Sequence, residues 1–384
     1  MDAPPPILSV IIPARNEEDC VGECVRSLVA QEEDGWKLSP QHANTGRAGG
    51  PELGVDWEIF VVNDASTDRT REIAAAFPGV TVMDAPKLEK GWTGKANACW
   101  AGAARATGKW LLFTDADTVH GAVEPAAGVT GTPNTLRLAI TEAERHEAGM
   151  LSYSPRQIVR GLAQRALMPL VFSDLATTYT MAKVNDPVNP VAAANGQFLL
   201  VRRDVYDTIG GHATVKGAVL EDVELASLVK RRKLGLRFRY APEAVAARMY
   251  RSFGAMVEGW TKNLALLFAN APMLAGMRLL QLGVLVGVPA LVFFFWWLRI
   301  VNPAARTGVL GTPMATAALV LVWVRALWGV YSRVAKSNFP FRDCVLAPLG
   351  IPLYAWLLWR SWFRVTVVKQ VVWKGRTQGI GNRE

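Results

Sequence analysis

Four short apolar runs punctuate the first third of the chain, and each gives way to a polar turn and then to a helical pattern. Ile7 to Pro13 and Trp57 to Asn63 are nearly continuous apolar stretches, and Val80 to Met83 and Trp110 to Thr114 repeat the theme. Runs of this length without alternation read as strands buried on both faces, as in a parallel sheet. The strand and helix alternation to about residue 118 therefore predicts an α/β fold, a doubly wound sheet whose ligands sit beyond the carboxyl ends of the strands. Further along, Leu199 to Arg202 reads as another strand, and Glu221-Asp222 opens an amphipathic helix whose outer face includes Lys230, Arg231, Arg232 and Lys233. Residues 32–55 are rich in Gly, Pro and polar residues without periodicity and predict a flexible surface insertion.

In the last third the pattern changes. Twenty uncharged residues, Leu279 to Leu298, are enough at a 1.5 Å rise to cover about 30 Å of hydrocarbon. Residues 307–330 and 344–360 form two further hydrophobic segments. The expected organisation is a soluble domain over 1–262 and a membrane region over 263–384 ending in a basic tail. Gln157 to Met181 mixes Arg160 and Arg165 with Leu162, Leu167, Met168, Leu170, Val171 and Phe172; it reads either as an interfacial helix or as an ordinary core helix. Three full spans would carry Arg364, Lys369, Lys374, Arg376 and Arg383 to the side opposite the soluble domain, against the positive-inside tendency. The short segment Cys344 to Trp359 is the candidate for a re-entrant or interfacial piece.

Charge sharpens this division. Of 384 residues, 51% are hydrophobic and the net charge is +9, which excludes a disordered, collagen-like or disulfide-stapled chain. Up to Lys262 there are 29 Lys+Arg against 31 Asp+Glu, and beyond it 13 against 2. Eight of the fourteen Trp share that basic third, a pairing suited to a membrane interface, and no nucleic-acid partner is expected. Cys20, Cys24, Cys99 and Cys344 form no CxxC pair and read as neutral thiols. Met1 to Pro6 has no signal-peptide character, so the soluble domain is expected on the cytoplasmic side.

The polar turns are where chemistry is expected. The first is Pro13-Ala14-Arg15-Asn16-Glu17 and the second Asn63-Asp64-Ala65-Ser66-Thr67-Asp68; both offer side chains and helix N-terminal amides to a nucleotide, although Asp64 and Ser66 also suit helix caps. The third, Gly91-Trp92-Thr93-Gly94-Lys95, combines close backbone approach with a lysine able to hold a diphosphate. The fourth, Asp115-Ala116-Asp117, sets two carboxylates on one side of a strand end, where they can hold a hard divalent cation. Glu221 suits the acid-favouring start of a helix as well as a catalytic site.

Pro13-Ala14-Arg15-Asn16-Glu17, Val62 to Asp68, Asp115-Ala116-Asp117 and Glu221-Asp222, in this order, resemble an inverting glycosyltransferase of family 2 with a GT-A fold. Gly91 to Lys95, Val184-Asn185-Asp186-Pro187, Gly259-Trp260-Thr261-Lys262-Asn263 and Trp373-Lys374-Gly375-Arg376 are similar to the bacterial branch linked to carotenoid and hopanoid glycosylation. The resemblance implies a Rossmann-like GT-A domain followed by C-terminal transmembrane helices. It places Pro13, Ala14, Glu17 and Asp64 around the uridine of a UDP-sugar, with Lys95 at the diphosphate. Asp115 and Asp117 would hold nucleotide and Mg²⁺ or Mn²⁺, Asp222 beside Glu221 would be the general base, and Gly196 and Trp260 would lie on the acceptor side. Two departures stand out: Asn63 replaces the first acid of the usual Asp-Asp pair, and the Gln-x-x-Arg-Trp motif of processive synthases is absent.

The function so implied is inverting transfer of a hexose from a UDP-sugar to a membrane lipid, by a multi-pass protein of the cytoplasmic membrane. A polyprenyl-phosphate glycosyltransferase and a noncatalytic nucleotide-sugar-binding membrane protein are the alternatives.

Overall fold

Both faces of the central sheet are covered by apolar packing, which accounts for the uninterrupted hydrophobic runs. In the computed structural model, which describes residues 6–31, 38, 56–121, 134–301 and 313–379, β1 (Leu8–Ala14) directs Leu8, Val10 and Ile12 into one core and Ile11 into the other. After α1 (Val21–Val29), β2 (Trp57–Asn63) divides in the same way, with Trp57, Ile59 and Val61 against Phe60 and Val62. Then follow α2 (Thr70–Ala75), β3 (Val80–Asp84), α3 (Gly94–Arg105) and β4 (Trp110–Phe113), the last with Trp110 and Leu112 on one face and Leu111 and Phe113 on the other. The insertion expected over 32–55 lies, apart from residue 38, outside the described residues.

The remaining elements of the chain are β5 (Thr118–His120), α4 (Thr135–Arg145), β6 (Met150–Ser154), β7 (Arg156–Gln157), α5 (Gly161–Thr178), α6 (Met181–Asn185), β8 (Leu199–Arg202), α7 (Arg203–Ile209), α8 (Gly211–Thr214), α9 (Glu221–Arg231), β9 (Leu236–Tyr240) and β10 (Val245–Ala247). Beyond these come α10 (Phe253–Leu267), α11 (Ala271–Val301), α12 (Pro313–Val334), α13 (Phe341–Cys344), α14 (Ala347–Trp362), β11 (Gln370–Trp373) and β12 (Arg376–Gly379).

The seven-stranded sheet runs β3-β2-β1-β4-β8-β6-β9. The first four strands are parallel, β8 is antiparallel to both β4 and β6, and β9 is parallel to β6. Register sets Ala14 opposite Asn63 and Asn63 opposite Asp84, so the carboxyl ends of β1, β2 and β3 form one edge from which the polar turns depart. A small second sheet, β5-β10-β7, adjoins the turn after β4.

The chain separates into two compact units: Met1–Ile158, Tyr179–Met249 and Lys374–Glu384 in one, Val159–Thr178 and Tyr250–Trp373 in the other. The division is thus not a single cut after residue 262. It gives α5 and α10 to the helical unit and returns the chain to the sheet unit at Lys374. In the helical unit, α5 buries Leu167, Met168, Leu170 and Val171, and Gly350 of α14 comes so close to the Ala166 carbonyl that a side chain would not fit.

Helices α11 and α12 are long and apolar enough to cross a membrane. Their apolar side chains are exposed, Leu280 by 72%, Phe293 by 64% and Trp328 by 68%, the reverse of a soluble core helix. By contrast α14 is short, and Ile351, Tyr354, Leu357 and Leu358 are buried within its unit.

The outer face of α9 differs from expectation at one residue. Lys230 is buried, and its ammonium donates to the carbonyls of Lys183 (2.9 Å), Val184 (2.8 Å) and Val191, tying down α6 and the segment after it. Asn185, the last residue of α6, binds both backbone groups of Phe238 in β9, at 3.0 and 2.7 Å. The Val184 to Pro187 motif therefore has a structural task in this fold.

Candidate active site

At the carboxyl edge of the sheet unit, the end of β1 and the turn after β2 lock together. The Asp64 amide donates to the Ala14 carbonyl at 2.8 Å, and Arg15 donates to the carbonyls of Asp64 (2.7 Å) and Ala65 (3.1 Å). Pro13 and Ala14 thereby shape the floor of this corner. Asn63 explains one departure noted above: its amide donates to Asp84 at 2.7 Å, where a carboxylate would meet another carboxylate.

Thr93 caps α3 by accepting the Ala96 amide at 3.0 Å, which turns the first amides of the helix and Lys95 toward the same edge. The Lys95 ammonium bridges Asp115 at 2.7 Å and Glu221 at 3.0 Å. Burial alone would depress this lysine, but Asp115, Glu221 and Asp222 carry its pKa well above the ordinary value. Close approach is possible because residue 196 is glycine: a Cβ there would stand 2.7 Å from the Lys95 nitrogen.

Gly196 also holds the neighbouring acid. Its amide donates to Asp222 Oδ2 at 2.7 Å while the Val223 amide donates to Oδ1 at 2.9 Å. Burial, with Glu221 alongside, pushes Asp222 up to about 6 in spite of these bonds. Next in the same turn, Gln197 Nε2 reaches Asp117 Oδ1 at 3.5 Å, and Gln157 donates to Gln197 at 2.9 Å. Asp117 is pushed up to about 7 by burial, with Asp115 and Glu17 adding repulsion. Behind the pair, Thr118 donates to the Asp115 carbonyl at 2.7 Å, and His120, kept neutral by burial at about 3, lies against Thr114 and Thr118.

Two further cations come from the end of the described chain. Lys374 donates to the Arg15 carbonyl at 2.8 Å and pairs with Glu17, and Arg376 pairs with Asp64 at 2.5 Å. Gly94 makes room for them, since a Cβ there would collide with the Asp64 carboxylate and the Arg376 guanidinium. Gln378 fixes the same segment on the Gly217 carbonyl at 3.1 Å. In the sequence these residues read as a motif and as tail charge; the signal that marks them as site residues is a lysine and an arginine flanking a glycine beyond the last hydrophobic segment.

Residues 9–210 match the model of the family described as Glycosyl transferase family 2. The chain belongs to glycosyltransferase family 2. This glycosyltransferase is 28% identical over 268 residues to the 4,4'-diaponeurosporenoate glycosyltransferase of Staphylococcus aureus (strain USA300), covering 67% of the present chain. It spans about 60% of the length of that curated relative. Among solved structures it is similar to the mannosyltransferase PcManGT of Pyrobaculum calidifontis in complex with GDP-Man and Mn²⁺, at 17% identity, TM-score 0.43, and 96% and 90% coverage of the two chains. It is also similar to S. aureus TarS 1-349 in complex with UDP-GlcNAc, at 15% identity, TM-score 0.40, and 98% and 97% coverage.

The mixed α/β sheet of the glycosyltransferase thus brings together Glu17, Asp64, Lys95, Asp115, Asp117, Gly196, Glu221 and Asp222. Trp260 belongs to the helical unit: it lies in α10, 2% exposed, with its indole nitrogen on Met168 Sδ at 3.3 Å and its ring against Phe172 and Tyr250. In the same unit Lys262 stacks on Trp373 at 4.7 Å, which anchors the chain one residue before Lys374. Among the residues brought together here, the six carboxylates outnumber the cations Lys95, Lys374 and Arg376 that pair with them, and Asp115 and Asp117 are the oxygen donors that could hold a hard divalent cation.

Proposed function

We propose that the enzyme is an inverting hexosyltransferase that moves a sugar from a UDP-sugar to a hydroxyl or carboxyl group of a membrane lipid, a carotenoid-, hopanoid- or glycolipid-like acceptor. The observation that carries the reading is the Lys95, Asp115 and Glu221 bridge set beside Asp222. A protonated lysine able to meet a diphosphate stands next to a carboxylate held by two amides.

In this reading Asp64, Glu17 and the Pro13-Ala14 corner hold the nucleoside, and Lys95 holds the diphosphate at the start of α3. Asp115 and Asp117 would bind Mg²⁺ or Mn²⁺, which when bound offsets negative charge on the diphosphate. Asp222 removes the proton of the acceptor hydroxyl as its oxygen attacks the anomeric carbon and UDP departs from the opposite face, a single displacement that inverts the centre. Its raised pKa suits a base working near neutrality. Arg376 and Lys374 are assigned to the donor as well, because the carboxylates they hold are the two given to the nucleoside.

Localisation follows from α11 and α12. We read them as two membrane crossings, and the pairing of Lys374 and Arg376 with Glu17 and Asp64 supports an even number of crossings. That side is taken as the cytoplasm. The purified full chain, given Mn²⁺, a panel of UDP-sugars and a bacterial lipid extract, is expected to release UDP and to yield lipids heavier by one hexose. UDP release without a glycosylated lipid would overturn the lipid acceptor, and a product on polyprenyl phosphate would transfer the assignment to that class.

A further inference from the structure

The helical unit contains a polar cavity of about 550 Å³ lined by α5, α11, α12 and the turn that follows α12. That is the size of an ordinary small-molecule site, about 300–1,000 Å³. Four cations face it, Arg278, Arg325, Arg333 and Lys336, against one carboxylate, Asp174. The carboxylate is fully engaged: it pairs with Arg278 and accepts the Tyr354 hydroxyl at 2.9 Å. Arg278 is 3% exposed, and its Nε, buried, has no hydrogen-bond partner.

Neutralising Arg278 with Asp174 leaves three positive charges in one cavity. The carboxyl ends of α5 and α12 contribute roughly half a negative charge each, so about two positive charges are uncompensated. Long cationic side chains at helix ends commonly escape to the interface. Here Arg278 from α11 is buried, Arg333 is half-buried, and Arg325, twelve residues into α12, is exposed with Lys336, yet all four line the same space. A cation within an apolar helix is costly and persists where it has a partner.

From this convergence we infer that the cavity binds the phosphate of an anionic glycerophospholipid. The inference rests on α11 and α12 lying in a membrane. Phosphate satisfies several cations at once through its oxygens, and exposed apolar side chains such as Trp328 and Leu321 on α12 offer a surface for acyl chains.

The full chain is reconstituted in vesicles of equimolar phosphatidylglycerol and phosphatidylcholine and extracted in detergent, and the lipids retained per protein are counted by mass spectrometry. Enrichment of phosphatidylglycerol is expected, and it should fall about 25-fold in the Arg325→Gln, Arg333→Gln double variant, from roughly fivefold per cation. The double Lys variant should keep most of it, and Arg364→Gln, an exposed cation outside the cavity, should leave it unchanged. Equal retention of the two lipids by the wild-type chain overturns the inference even if the double variant does not fold, as does unchanged enrichment in a folded double variant. Displacement of phosphatidylglycerol by inorganic phosphate at equal concentration would make the ligand free phosphate and overturn the lipid assignment. Vesicle flotation separates the premise from the inference: a chain that does not float removes the membrane reading, whereas one that floats without selecting phosphatidylglycerol removes only the lipid site.

Discussion

Each unit of this glycosyltransferase joins a cation to a carboxylate far away in the chain, and the two arrangements differ in what surrounds them. In the sheet unit, the Lys95 and Asp115 side chains are 36% and 29% exposed, and the lysine is shared between two acids. In the helical unit, the Arg278 and Asp174 side chains are 4% and 8% exposed, with the second carboxylate oxygen taken by Tyr354. An open, shared pair can exchange partners with a ligand, whereas an enclosed pair can only be broken. The first arrangement suits chemistry and the second suits the joining of α5, α11 and α14.

The sharpest way to break this contrast is at the base. Asp222→Asn is expected to lower kcat by about 10²–10⁴-fold while UDP affinity, measured by calorimetry with Mn²⁺, stays unchanged. Retained turnover would remove Asp222 from its role. Next comes stability: Asp174→Asn should cost about 3–5 kcal/mol in denaturant unfolding, whereas Asp115→Asn, in the open pair, should cost about 1 kcal/mol or less. Equal losses would erase the distinction.

A smaller effect is expected from the returning segment. Arg376→Ala should weaken UDP binding by roughly 10–100-fold, the range for a charged hydrogen bond, and Arg376→Lys should recover part of it. Normal UDP affinity in Arg376→Ala would leave that arginine with a purely structural part. The mildest test is pH. In the proposed mechanism Asp222 acts as a carboxylate, and burial with Glu221 raises it to about 6. Activity, read as kcat/KM, should therefore fall as pH drops through about 6 and level off above it, and a profile flat to pH 5 would contradict the base assignment.

The strands were readable because a strand buried on both faces must be apolar throughout, and β1, β2 and β4 lie within a residue of the runs that predicted them. The turns were readable because a carboxylate next to a buried strand end, as at Asp115 and Asp117, has few structural reasons to be there. Lys374 and Arg376 were not, since their partners are encoded more than 300 residues earlier and a cation in a basic tail looks like surface charge. Lys230 misled for a related reason: its helical position implied solvent, but carbonyls of a distant segment enclose its ammonium. Asn63 became intelligible only when register placed it opposite Asp84.

The pairing of Arg376 with Asp64 spans 312 residues, and this sets a schedule for biosynthesis. The strands and turns up to Met249 can leave the ribosome and begin to fold while this clamp is still untranslated. About 127 residues separate Met249 from Arg376, so at 5–20 residues per second the sheet unit waits roughly 6–25 s for its last two cations. With the donor role proposed for Arg376, a chain truncated before that residue is expected to bind UDP weakly, so the clamp would tie donor binding to completion of the chain through Arg376.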